Sequence, residues 1–171
     1  MIIPKEKIDA SIKSKRLQEE ATTKSLLDAI MQKSKEVSEL SKIIKEIMET
    51  YSYVRMHDDA LGKEVWRAIC NEDDPHRLDF CNAILDQPGG KCGVRPNYNN
   101  GKEYFTRIFV TSIGVFFRPS SEGPLFQIEE IPNYLDPKHY SGILNSMCLL
   151  IAEVPAYKES LVNRFNSILN Q

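Results

Sequence analysis

LLDAIMQKSKEVSELSKIIKEIMETYSYV, residues 26–54, decides how this chain is read. Leu26, Ile30, Val37, Leu40, Ile44, Ile47, Tyr51 and Val54 succeed one another at alternating steps of four and three, with Lys33 filling one seam position. That is a 3.5-residue period held for about four heptads, with Lys, Glu and Ser in most of the remaining positions. A helix over this stretch spans roughly 45 Å at about 1.5 Å per residue, longer than a small domain needs for its own core. The expectation is therefore a surface made for another helix, with Leu26, Ile30, Val37, Leu40, Ile44, Ile47 and Tyr51 as interface residues. Leu27, Met31, Ile43 and Met48 widen the stripe, which suits a bundle or hairpin as well as a two-stranded rod.

Upstream, Pro4 opens a sparse helical stripe of Ile8, Ile12 and Leu17, and Thr22 or Thr23 is placed to cap the long helix after it. Downstream, Asp58 or Asp59 caps a helix with Leu61, Val65, Trp66 and Ile69 on its apolar side. Asp74-Pro75 and Asp136-Pro137 each set a capping carboxylate before a proline. They predict helices bearing Leu78, Cys81, Ile84 and Leu85, and then Ile143, Leu144, Met147, Cys148 and Ile151. Pro155 should end the latter and start a last helix with Tyr157, Leu161, Phe165 and Ile168.

Between these helices, 87–101 reads as loop from its glycines, prolines and asparagines. Tyr104–Thr111, Val115–Arg118 and Leu125–Ile131 are rich in β-branched and aromatic residues and read as strands, with a tight turn at Ser112, Ile113 and Gly114. The fold class that follows is helix-rich α+β: a long N-terminal helix, as coiled coil or helical hairpin (1–55), then a compact unit (56–171) with a small three-stranded antiparallel sheet flanked by helices.

Composition sets outer limits. The 171 residues are 42% hydrophobic and 27% charged, which permits a buried core. A net charge of −2 argues against a general nucleic-acid binder. The basic stretch from Lys5 to Arg16 is diluted by Glu6 and Asp9, with Glu19 and Glu20 beyond, and reads as a solvated helix face. No apolar run approaches the roughly 18 residues that span a bilayer. The start, MIIPKEK, lacks the charged and apolar regions of a signal peptide, so cytoplasmic synthesis with reduced thiols is expected. Secretion through a route that reads no cleavable signal is compatible with the same residues.

Candidate chemistry is sparse. Cys92 sits among Gly89, Gly90, Lys91 and Gly93, and a thiolate there needs backbone donors and a base such as His139, oriented by Asp136. No local pattern ties these residues, and glycines serve turns equally well. The loop lacks the spacing of a phosphate cradle. Zinc on Cys70, His76, Cys81 and Cys92 would need closer ligand pairs than these, and buried cysteine as a small hydrophobe explains Cys70 and Cys81 more simply, so no metal or cofactor is expected. Arg95, Arg107, Thr111-Ser112 and Gln127-Ile128-Glu129 stand in an order that resembles the arginine, S-T-S and Q-x-E series of the ADP-ribosyltransferases, with an incomplete S-T-S and a short gap before the glutamate. That resemblance implies an NAD-dependent transferase in which Glu129 steadies the developing ribosyl cation and the hydroxyls hold the nicotinamide side. Against it, Gln127 and Glu129 alternate with apolar residues as the solvent face of an edge strand does.

The residues favour a protein–protein interaction or adaptor module, of accessory or effector type, that self-associates or takes a partner through the 26–54 seam. A small enzyme centred on Cys92 and His139, or on Glu129, is the alternative.

Overall fold

The computed structural model describes residues 2–71, 73, 78–82, 92–96, 108–111, 113–120 and 123–171, of which 78–82 and 92–96 are described by their backbone. Helix α1 runs unbroken over Lys5–His57. No glycine or proline lies between Pro4 and Gly62, so nothing in the covalent chain forces a stop. The sparse first stripe and the long helix are thus one element. Thr22, expected as a cap, instead donates its hydroxyl to the carbonyl of Gln18 one turn back, a bond made inside a helix. The stop comes at Asp58, whose extended backbone ends α1. Its carboxylate then accepts from Leu61 N at 3.0 Å to cap α2, Asp59–Ile69.

Among the described residues, five strands form an antiparallel sheet in the order β1 (Leu78–Asn82), β2 (Cys92–Pro96), β3 (Ile108–Thr111), β4 (Gly114–Phe117) and β5 (Phe126–Gln127). The expected meander is present as β3, β4 and β5. β1 and β2 extend it from segments read as a helix and a loop. Leu78 and Phe80 fit a two-residue period as well as Leu78 and Cys81 fit a helical one, and pairing with β2 decides between them. The turn between β3 and β4 joins Thr111 to Gly114, and Gly114 takes φ +144°, a conformation that side chains strain.

The third expected strand is also shorter than its sequence suggests. After Gln127 the chain turns through a 3₁₀ segment, Ile128–Glu130, into the short helix α3, Ile131–Tyr134. Glu130 accepts from the backbone N–H of Gln127 at 3.2 Å, half of a capping box that closes this turn.

Asp136 caps as expected, accepting from Lys138 N at 3.0 Å, and a 3₁₀ turn over Pro137–His139 leads into α4, Tyr140–Leu169. Pro155 does not break α4. The proline is exposed, while Val154 and Tyr157 beside it are fully buried, so packing on both sides holds the axis despite the missing N–H donor.

α1 and α4 run side by side in the same direction. Lys33 lies near Cys148, the ammonium of Lys158 pairs with Glu46 at 2.5 Å, and the His57 end of α1 shares a cleft with Leu169. α2 runs back antiparallel to both, with its start near Leu169 and its end at Tyr157. Ile108, Val110, Val115 and Phe117 of the sheet join α1 and α4 in one core, while Phe109, Phe116 and Leu125 make a smaller cluster on the opposite face.

Candidate functional site

The seam residues are the core. Ile30 and Val37 are fully enclosed, Ile44 and Ile47 nearly so, and Leu40 is buried with them. Leu26, Tyr51 and Val54 are half-buried against the same cluster. Their cover is α4, which supplies Ile143, Met147, Leu150, Val154, Tyr157 and Leu161, together with the inner face of the sheet. The 3.5-residue period marked a face that needs burial, and this chain buries it with its own residues, those of α4 lying more than a hundred positions away. The reason for expecting a partner along 26–54 is therefore gone. Lys33 behaves as a seam lysine should: its ammonium bonds Glu36 at 3.0 Å at the surface, and that bond and charge raise its pKa.

The candidate catalytic residues do not assemble. Cys92 opens β2 opposite Asn82, and the residues before it lie outside those described. His139 stands in the turn before α4, at a small cleft of ≈ 200 Å³ whose lining among the described residues is Lys138, Ser141, Gly142 and Asn145, with no cysteine. Asp136, its intended orienting group, is engaged as a cap.

Glu129 does share a cleft with Gln127, of ≈ 320 Å³, bounded by Ser34, Lys35 and Ser38 of α1 and by the β3–β4 turn. The hydroxyls near it are committed elsewhere. Ser34 donates to Met31 O and Ser38 to Lys35 O, while buried Thr111 donates to Gly114 O and accepts from Ile113 N. Glu129 is in a 3₁₀ turn rather than on the solvent face of a strand. Ser112, Arg107 and the side chain of Arg95 fall outside the described residues, as does His76 of the zinc proposal. Among the described residues no three His, Cys, Asp or Glu side chains are grouped to hold a metal, and no helix is long and apolar enough to cross a membrane.

Among the described residues, most of the exposed large apolar side chains lie at the two ends of α1, with Ile113, Tyr134 and Val162 exposed elsewhere. Every residue from Ile2 to Thr22 is exposed, so the first five turns of α1 stand clear of the body as an arm of roughly 27 Å. On that arm Ile8 and Ile12 are adjacent at i, i+4 on one face, and Leu17 is 57% exposed on another. From Lys5 to Arg16 five cationic side chains face two carboxylates. The composition had marked this segment as mildly basic; continuity with α1 is what makes it a projecting helix.

At the opposite end, Tyr53, Val54, Leu61 and Leu169 line an apolar groove of ≈ 530 Å³ between α1, α2 and α4, with Glu49, Thr50, His57 and Asp58 around it. Tyr53, 66% exposed, stacks on His57 at 4.3 Å between ring centroids, which presents one face of a joined aromatic pair to solvent. The C-terminal ends of α1 and α4 both lie here, and the negative ends of their helix dipoles add to the carboxylates of Glu49 and Asp58. Lys45, 3.7 Å from Glu49, Arg55 in the last turn of α1 and the N-terminus of α2, which the Asp58 carboxylate caps, offset part of it. Nothing in the sequence flagged this groove, because its walls come from three helices. No protein-family model, curated protein or solved structure matches this chain.

Proposed function

We propose that the chain is a protein–protein interaction module, an adaptor or effector-type part, whose contact element is the free arm of α1 rather than the 26–54 seam. One observation carries this reading: a helical segment of about five turns is held out from the body with Ile8, Ile12 and Leu17 in water. A helix of that length is marginal in isolation, and here it is templated by the buried half of α1. Each of those partly exposed apolar side chains stands to contribute about 1 kcal/mol once covered, roughly half the value for full burial. Contact along the arm would therefore both bury apolar surface and hold a helix that nothing else supports laterally.

A photo-crosslinking residue placed at Ile12 tests the reading, with the same residue at exposed Lys63 on α2 as control. Covalent adducts to protein, whether a second copy or another chain, are expected from position 12 and not from position 63. Adducts from neither position, or equally from both, overturn it.

A further inference from the structure

Resting on that reading of the arm, we infer that its receptor is the groove between α1, α2 and α4 of a second copy of this chain. The two surfaces match in chemistry. The arm from Lys5 to Arg16 is cationic with Ile8 and Ile12 on one face, and the groove is apolar with Glu49 and Asp58 beside two helix C-termini. Apolar contact supplies the affinity, and opposite charge supplies the orientation and the speed of encounter.

The same rod forbids the intramolecular version. Arg16 and Glu49 are separated by about 50 Å along one continuous helix, so a copy cannot bring its own arm to its own groove. Any arm seated in the groove therefore comes from another copy. Two copies exchanging arms reciprocally close the contact twice, whereas one-way seating leaves a free arm and a free groove at the ends.

Sedimentation of the full chain over a wide concentration range reads the association. The first variant, Ile8→Glu with Ile12→Glu, alters the arm, and the second, Tyr53→Arg with Leu169→Arg, alters the groove. All four positions are exposed, so thermal melts should match the parent, and Ile12→Ser and Tyr53→Ser are milder variants for either side. The parent should exceed monomer mass with rising concentration and dissociate as salt is raised. Each variant should weaken association by about tenfold or more. An equimolar mixture of the two should regain it, since an intact arm then meets an intact groove.

A parent that stays monomeric, a variant that associates like the parent, or a mixture that does not recover overturns the inference. Capture of a monomeric chain by phosphatidylserine vesicles, lost in Ile8→Glu with Ile12→Glu, also overturns it. A monomeric chain that still crosslinks from position 12 to a different protein rejects the second copy and leaves the arm reading standing. Absence of any crosslink ends both.

Discussion

The hydroxyl of Tyr157, in the middle of α4, donates to the carbonyl oxygen of Ile69 in the last turn of α2. Both residues are fully buried. The bond satisfies one of the carbonyls that every helix leaves open at its C-terminus, and it fixes where α2 stops against the other two helices. Tyr157→Phe keeps the ring and removes the donor, leaving a buried acceptor without this partner. The expected cost is about 1–3 kcal/mol in urea unfolding, with the slope of the transition unchanged. A midpoint equal to the parent's would show that the bond contributes nothing net.

Placing the seam in the core reverses what its variants should do. Ile44→Ala should lower stability by about 2–5 kcal/mol through lost burial and the cavity left behind. Leu40→Asp with Ile44→Asp should abolish the cooperative melt, because two unpaired carboxylates cannot be accommodated between α1 and α4. If that pair melts like the parent and changes association alone, the seam is an interface after all.

At Gly62, α2 passes too close to α1 to leave room for a side chain. A Cβ there would stand 2.8 Å from the Cα of Arg55, a backbone atom that cannot swing aside. Gly62→Ala must open the elbow, and a destabilisation of about 1–3 kcal/mol is expected although alanine is the better helix former. A neutral or stabilised variant in thermal unfolding would contradict that packing.

Alkaline pH should reach the core through Tyr140. Burial, followed by the nearby carboxylate of Asp136, raises its phenol pKa above the ordinary value of 10.0. The folded state then keeps the proton that the unfolded chain gives up above that value. The contribution of Tyr140 to stability is complete below pH 10 and is lost as pH climbs through the raised pKa. Stability measured against pH in this range should fall less steeply in Tyr140→Phe than in the parent. Equal slopes would mean that the phenol does not report on folding.

The sequence made some of this legible for identifiable reasons. The long helix was visible because one period persists and no glycine or proline interrupts it. The caps at Asp58 and Asp136, the turn at Gly114 and strands β3 and β4 were visible because each is decided by a few neighbouring residues. β1 and β2 were not, since each is made a strand by a ladder partner from elsewhere in the chain. Continuity through Pro155 was hidden for the same reason: the burial of Val154 and Tyr157 is a property of the assembled layer. The seam shows the limit most clearly. Periodicity states that a face will be covered, and the identity of the cover is settled by Met147, Leu150 and their neighbours on α4. The candidate groove has no sequence signature at all, because Tyr53, Leu61 and Leu169 meet only after three helices have packed.

The backbone of α1 is uniform, yet its surroundings change from bulk solvent at one end to a sealed interior in the middle. Amide protons near Ile8 are guarded by the hydrogen-bond ladder alone, whereas those near Ile44 cannot reach solvent without breaching the whole layer. One helix therefore spans a gradient of opening energy, fraying freely at its tip and locked at its waist. Whatever grips the tip need not create order there; it has merely to suppress an unwinding that the rest of the rod already opposes.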